Sequence, residues 1–238
     1  MKNFILNNNE IENIFRSQQL NYDSPYSLDE IILRTKELNS IITEIDNSES
    51  IAVIGNSGKL LEQNYGELID KHDYVIRCNL AVTKGFEKHV GSKTDFRMIA
   101  GKSFWRDLSE NFSSYDNNFL TDLQEEHFLI KAKPMYPAIQ GIIKNFNTKS
   151  YVHFLNQSLI DGIEKKTNLK DISTGFCATS LAIMLSNNVS LFGFGFFEED
   201  WKSQHYFEEI KPYDRGHSFS DEKTYITFLS TQNIVRIY

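Results

Sequence analysis

The sequence is short of several features that would assign it to a class at once. It has two cysteines, Cys78 and Cys177, in 238 residues. Two thiols make no disulfide framework, and the simplest reading of each is a small buried hydrophobe. It has four prolines, and no Pro- or Gly-rich linker, low-complexity tract or internal repeat interrupts it. No apolar run approaches the ~20 residues of a membrane span. The start, MKNFILNNNEIENIF, has too short an apolar stretch for a secretory signal and lacks a small-residue cleavage site. Positive charge is also scarce: 25 Lys and Arg against 32 Asp and Glu leave a net charge of −7. A nucleic-acid partner calls for a basic face, so none is expected. These absences predict a cytoplasmic protein, at most held peripherally at the inner face of a membrane.

What is present is ordinary globular composition, 40% hydrophobic and 24% charged, at a length that suits one α/β domain with a full core. Residues 1–27 are polar and Asn-rich and admit a helix over 9–16. Leu28, Ile31, Ile32, Leu38, Ile41, Ile42 and Ile45 recur at helical spacing behind Ser27, an N-cap residue, and predict a helix over 28–46. Apolar strands then alternate with helical stretches. Strands are expected at Ile51–Ile54, Tyr74–Arg77, Phe96–Ile99, Phe128–Lys131, Tyr151–Leu155, Val189–Phe194 and Ile234–Ile237. Helices are expected over 137–146, 157–166, 175–186 and 221–230. The alternation predicts an α/β, Rossmann-like fold with a mostly parallel sheet flanked by helices. The division is an N-terminal helical segment, 1–50, and a single main domain, 51–238.

The stretch AVIGNSGKLL, 52–61, looks like a phosphate loop and is not one. A P-loop needs Gly, four residues, then Gly-Lys-Ser/Thr. Counting back from Gly58 puts Val53 where the first Gly belongs, and Leu60 stands where the Mg²⁺-binding hydroxyl belongs. A dinucleotide fingerprint needs G-x-G-x-x-G, but Ser57 stands two after Gly55. What remains is a strand followed by G-N-S-G. It is either a plain tight turn or a loop whose amides and Asn56 side chain meet an anion or a sugar hydroxyl.

The residues that follow narrow the choice. Over 52–95 the chain runs through G-N-S-G, Y-G-x-x-I-D-x-H-D, V-x-R-x-N and G-F-E-x-x-V-G-S-x-T in order. This segment resembles the long sialyl motif of the animal-type sialyltransferase family. STGFCATSLAIMLSNNVSLFGFG, 173–195, resembles the family's short motif. HYFE, 205–208, resembles its third motif, and HSFSDE, 217–222, its last. Four motifs in order identify the chain as a member of that family. The resemblance implies a variant GT-A glycosyltransferase fold and transfer from CMP-sialic acid with inversion at the anomeric carbon.

The same resemblance implies roles for particular residues. His217 matches the general base, a task suited to an imidazole near neutrality. His205 matches the residue that donates to the departing phosphate. Asn56, Ser57, Asn79, Ser173, Thr174, Gly175 and Gly195 are expected to contact the donor. Ser173-Thr174-Gly175 precedes a helix, where an N-cap and an anion are both at home, so donor phosphate or carboxylate is expected there. Glu222 is read as scaffold that bonds backbone near a helix start. His72, His89, His127 and His153 are read as structural, and Tyr206 and Glu208 as support. No D-x-D carboxylate pair occurs, so no metal and no cofactor beyond the CMP-sugar donor are expected. The acceptor is an oligosaccharide or glycolipid. Its determinants fall in 101–150, where GKSFWRDL and KPMYP offer aromatics for sugar stacking or for packing.

One departure stands out. Secretory-pathway members join the long and short motifs by a disulfide, and the matching positions here are Ile51 and Ser186. Neither is Cys, so noncovalent packing replaces the link, and a bacterial, cytosolic member acting on a surface glycan is the expectation. CMP-Kdo, another CMP-activated 2-keto acid sugar, would fit the same motifs. A nucleotide- or glycan-binding module without turnover is the remaining alternative.

Overall fold

The computed structural model describes residues 9–10, 42, 45–79, 81–100, 127–131, 151–195, 205–207 and 219–238. The expected helix over 137–146, most of that over 28–46, the aromatics of 101–126 and 132–150, Glu208 and His217 lie outside them. The chain forms two compact units, Met1–Glu44 with Arg97–Leu159, and Ile45–Phe96 with Ile160–Tyr238. No helix among the described residues is long and apolar enough to cross a membrane.

The second unit carries four parallel strands, β1 (Ser50–Ile54), β2 (Tyr74–Cys78), β6 (Asn188–Phe192) and β7 (Val235–Ile237), in the order β2-β1-β6-β7. Ile51 lies opposite Tyr74 on one side and Val189 on the other. Ile51, Ala52, Val53 and Ile54 are all fully buried. That is why β1 reads as an unbroken apolar run instead of an alternating one: a central parallel strand has no wet face. Two short helices, α1 (Gly66–Asp70) and α2 (Glu87–Val90), lie in the long-motif segment. Helix α4 (Thr174–Leu185) precedes β6. Phe176, Cys177, Ala178, Thr179, Leu181, Ala182 and Leu185 are buried along it, so it is buried nearly all round. Helix α5 (Phe219–Thr231) precedes β7 and carries Asp221 and Glu222 in its first turn, which suits the positive end of a helix.

The other unit holds β4 (His127–Lys131) paired in parallel with β5 (Tyr151–Phe154). Strand β3 (Phe96–Ala100) is next to β4 in the strand order. Helix α3 (Gln157–Thr167) follows β5. Asn156 caps its start by accepting from Ser158 N at 3.0 Å. Seven strands among the described residues fall at the seven expected places, alternating with helices as an α/β fold requires. The expected strand Val189–Phe194 is corrected to Asn188–Phe192, because Gly193 turns out of the strand at φ 71°.

Much of the long motif holds itself together. The Asp70 carboxylate accepts from Ser92 N and Lys93 N, each at 2.9 Å, and from Ser92 Oγ. Burial pushes its pKa up, but these hydrogen bonds outweigh it and hold the carboxyl below its ordinary value. Arg77, fully buried, donates to the Lys93 carbonyl and to Thr94 Oγ1. The I-D, V-x-R and G-S-x-T pieces are thereby joined: the 92–94 loop is held by Asp70 of α1 and by Arg77 of β2. Cys78 and Cys177 are buried thiols that form no disulfide. Ser186, also buried, donates from Oγ to the Glu49 carbonyl and accepts from Asn188 N at 2.8 Å. A hydrogen bond thus ties the segment before β1 to the end of α4 without a covalent link.

Candidate active site

The chain leaves the carboxyl ends of β1 and β6 side by side. Gly55 N donates to the Phe192 carbonyl at 2.7 Å, and Ser57 N to the Gly193 carbonyl at 3.1 Å. A Cβ on Gly55 would lie 2.4 Å from the Gly193 oxygen. The first glycine of G-N-S-G is therefore there for a neighbouring strand, and not for a phosphate. Strand β2 lies on one side of β1 and β6 on the other. In open parallel sheets the crevice at such a reversal, beyond the carboxyl ends, is where ligands bind.

Most of the expected donor residues that are described are arranged around this crevice. Asn56 Nδ2 donates to the Cys78 carbonyl at 3.2 Å, bracing the end of β1 against the end of β2. Its Oδ1 is buried with no hydrogen-bond partner, a costly state for an amide oxygen that a ligand N–H or O–H would relieve. Asn79 follows Cys78 directly and adopts φ 53°, the left-handed turn that Asn tolerates. Ser57 caps the 3-10 turn Gly58–Glu62 by accepting from Lys59 N. A Cβ on Gly195 would lie 2.5 Å from Ser57 Oγ, so the two motifs touch there. One on Gly175 would lie 3.1 Å from the Phe194 ring. The 193–195 turn thus lies between the G-N-S-G turn and the start of α4.

The third motif joins the same place. Tyr206 N donates to the Asn56 carbonyl at 2.9 Å, and Tyr206 Oη to the Val82 carbonyl at 2.5 Å. The Tyr206 ring meets Phe86 edge-on at 5.2 Å. His205 is therefore one residue from a backbone contact with Asn56, and its ring stacks on Phe207 at 5.3 Å. His217 lies outside the described residues.

Ser173, at the N-cap of α4, is held more tightly than the sequence reveals. Its Oγ accepts from Phe176 N at 3.1 Å. Its N and Oγ both donate to Glu222, at 2.6 Å to Oε1 and 2.6 Å to Oε2. The scaffold reading of Glu222 thus acquires a partner, backbone and side chain of Ser173 together. Nothing local in the sequence pairs these positions. Thr174 is buried beside them.

The other described histidines make structural contacts. His72 Nδ1 bonds the Leu68 carbonyl, and His89 Nδ1 the Gln63 carbonyl. In the other unit His153 is fully buried, with no hydrogen-bond partner for either ring nitrogen. It stacks on His127 at 5.7 Å. Burial, and secondarily the His127 charge, pull its pKa down to about 3. Among the described residues no group of three or more His, Cys, Asp or Glu could hold a metal ion.

An open parallel α/β unit whose polar turns converge at the strand-order reversal defines a ligand-binding protein of the doubly wound class. The model of glycosyltransferase family 29 (sialyltransferase) matches residues 7–234, and the chain belongs to that family. A pig protein named CMP-N-acetylneuraminate-beta-galactosamide-alpha-2,3-sialyltransferase 1 is 30% identical over 206 residues, 79% of this chain and 57% of its own. The mouse protein of the same name is 32% identical over 155 residues, 60% of this chain and 44% of its own. An Arabidopsis thaliana relative named Beta-1,6-galactosyltransferase GALT29A is 33% identical over 172 residues, 61% of this chain and 42% of its own. The chain thus spans about half the length of these curated relatives. A crystal structure of a mammalian sialyltransferase in complex with Gal-beta-1-3GalNAc-ortho-nitrophenol shares the fold, with a TM-score of 0.62 at 20% identity. The match covers 100% of this chain and 90% of that one.

Proposed function

We propose that this protein is an inverting sialyltransferase that moves sialic acid from CMP-sialic acid to a sugar hydroxyl, of galactose or of another sialic acid, without a metal. The observation that carries the reading is the convergence of Asn56, Ser57, Gly195 and the His205 strip at the ends of β1 and β6, in a chain of this family. His217 takes the proton from the acceptor hydroxyl. The freed oxygen bonds to the anomeric carbon, and the bond to the phosphate oxygen breaks with its electrons leaving on CMP. His205 donates a hydrogen bond to that phosphate as negative charge builds on it. A single phosphodiester charge is within reach of amides and one imidazole, so the metal clamp of diphosphate donors is not needed.

The test is CMP release and sugar transfer with CMP-sialic acid and CMP-Kdo side by side, against galactosides and lipooligosaccharide fragments. Transfer from CMP-sialic acid in excess EDTA, abolished by His217→Ala with CMP affinity kept, is the expected result. The rate should rise through the range in which imidazole titrates, roughly pH 5–8. Transfer from CMP-Kdo alone moves the reaction to Kdo. The galactosyltransferase among the relatives makes a galactosyl donor the third arm. Tight CMP binding without turnover on any donor would favour a binding module.

A further inference from the structure

The start of α4 is where an anionic donor group is expected, because helix N-termini attract anions. The structure shows the N-cap residue there, Ser173, already bonded to the chain's own carboxylate. Glu222 is buried, 2% exposed, and takes both the N–H and the O–H of Ser173 at 2.6 Å. Ser173 Oγ also accepts from Phe176 N. A serine hydroxyl has one proton and two lone pairs. The proton and one lone pair are spent, so one lone pair remains. Any phosphate or carboxylate approaching Ser173 Oγ would meet that lone pair, with a carboxylate behind it.

We propose, building on the transferase reading, that Glu222 is a positioning residue that holds Ser173 as a hydrogen-bond acceptor for the donor nucleotide. The group met at Ser173 Oγ is then an N–H or O–H, such as a base amino group or a ribose hydroxyl, and not the phosphate. The same pair ties the start of α5 to the start of α4. His217 precedes Phe219, the first residue of α5, by two positions in the sequence.

Glu222→Gln discriminates. The amide is nearly isosteric, and its oxygen still accepts from Ser173 N. Its NH₂ donates to Ser173 Oγ, which fills the last lone pair and turns the hydroxyl proton outward. Acceptor and donor are thereby exchanged at one atom. Titration calorimetry with cytidine and with CMP reads the effect. Both ligands should weaken by the same factor, about tenfold or more for a lost buried hydrogen bond, in Glu222→Gln and in Ser173→Ala. The double variant should bind no worse than either single one. Weakening of CMP with cytidine unchanged would put phosphate at Ser173 and overturn the proposal, and so would unchanged binding of both. Ser173→Ala carries the same readout if Glu222→Gln does not fold. The tie itself is tested without ligand. The melting shifts of Ser173→Ala and Glu222→Gln should be non-additive in the double variant, and additive shifts would refute it. A wild-type chain that binds neither cytidine nor CMP would remove the nucleotide role and the CMP-donor reading together. The melting cycle would then decide the tie alone.

Discussion

Gly55→Ala tests the reading of the G-N-S-G turn as a device for bringing two strands together. The added Cβ would sit 2.4 Å from the Gly193 oxygen and 3.0 Å from its carbon. Real Cβ atoms essentially never come within 3.0 Å of such atoms, so the backbones must part by at least 0.6 Å (3.0 − 2.4). Neither neighbour is a flexible side-chain end, so no rotamer change relieves the clash. Added to the 3.1 Å between Ser57 N and the Gly193 oxygen, that displacement breaks the bond. The bond from Gly55 N to Phe192, now 2.7 Å, is stretched to a weak one. Losing or weakening two backbone bonds costs about 1–2 kcal/mol, and the over-packing about 1–3 kcal/mol. Reduced freedom of the unfolded chain returns about 0.5–1 kcal/mol. The net expectation is about 1–4.5 kcal/mol, or a melting temperature lower by roughly 2–18 °C for a chain of this size. Thermal melting followed by circular dichroism reads the first effect. CMP titration reads the second, since Asn56 and Ser57 move with the turn. A variant that melts within about 1 °C of wild type, below the expected shift, with CMP affinity intact, would refute the close-approach argument.

Two further outcomes follow from buried groups. His153 binds no proton in the folded state until about pH 3, whereas its ordinary value is 6.5. The unfolded chain therefore takes up a proton first, and stability present above pH ~6.5 is lost as pH falls toward ~3. Between pH 7 and 5 this amounts to about 2 kcal/mol. His153→Phe should flatten that part of a denaturant-midpoint-against-pH curve, and an unchanged slope would contradict the assignment. Ser186→Ala strips a partner from the Glu49 carbonyl and from Asn188 N. It should lower unfolding free energy by about 1–3 kcal/mol in urea titration, and no loss would show the pair to be idle.

The sequence shows some parts of this fold plainly and hides others for physical reasons. Strands β1 and β6 are legible because burial on both faces demands unbroken apolar runs. Helix α4 is legible from Ser173 and the buried run behind it. Helices α1 and α2 are too short, at five and four residues, to show a 3.6-residue period. The end of β6 is misplaced because Gly193-Phe194 continues an aromatic pattern that the backbone does not follow. Motif order brings out Asn56, Ser57, Gly195 and His205, and these do converge. The Glu222–Ser173 pair spans 49 positions, and no local pattern encodes a contact at that range. For Ser173 motif order identifies the residue, but not which of its hydrogen-bonding capacities remains.

The bond from Ser186 to Glu49 has a consequence for the unfolded chain. A covalent tie between positions 51 and 186 would restrict the denatured ensemble by closing a long loop, a contribution of roughly 5 kcal/mol for loops beyond ~100 residues. With both cysteines buried and outside any disulfide, that restriction is absent and the denatured coil expands without a cross-link. Unfolding then exposes more surface than in a bridged relative, and the denaturant dependence of stability is correspondingly steeper. Refolding involves no thiol pairing, so midpoint and refolding yield should be the same with and without dithiothreitol.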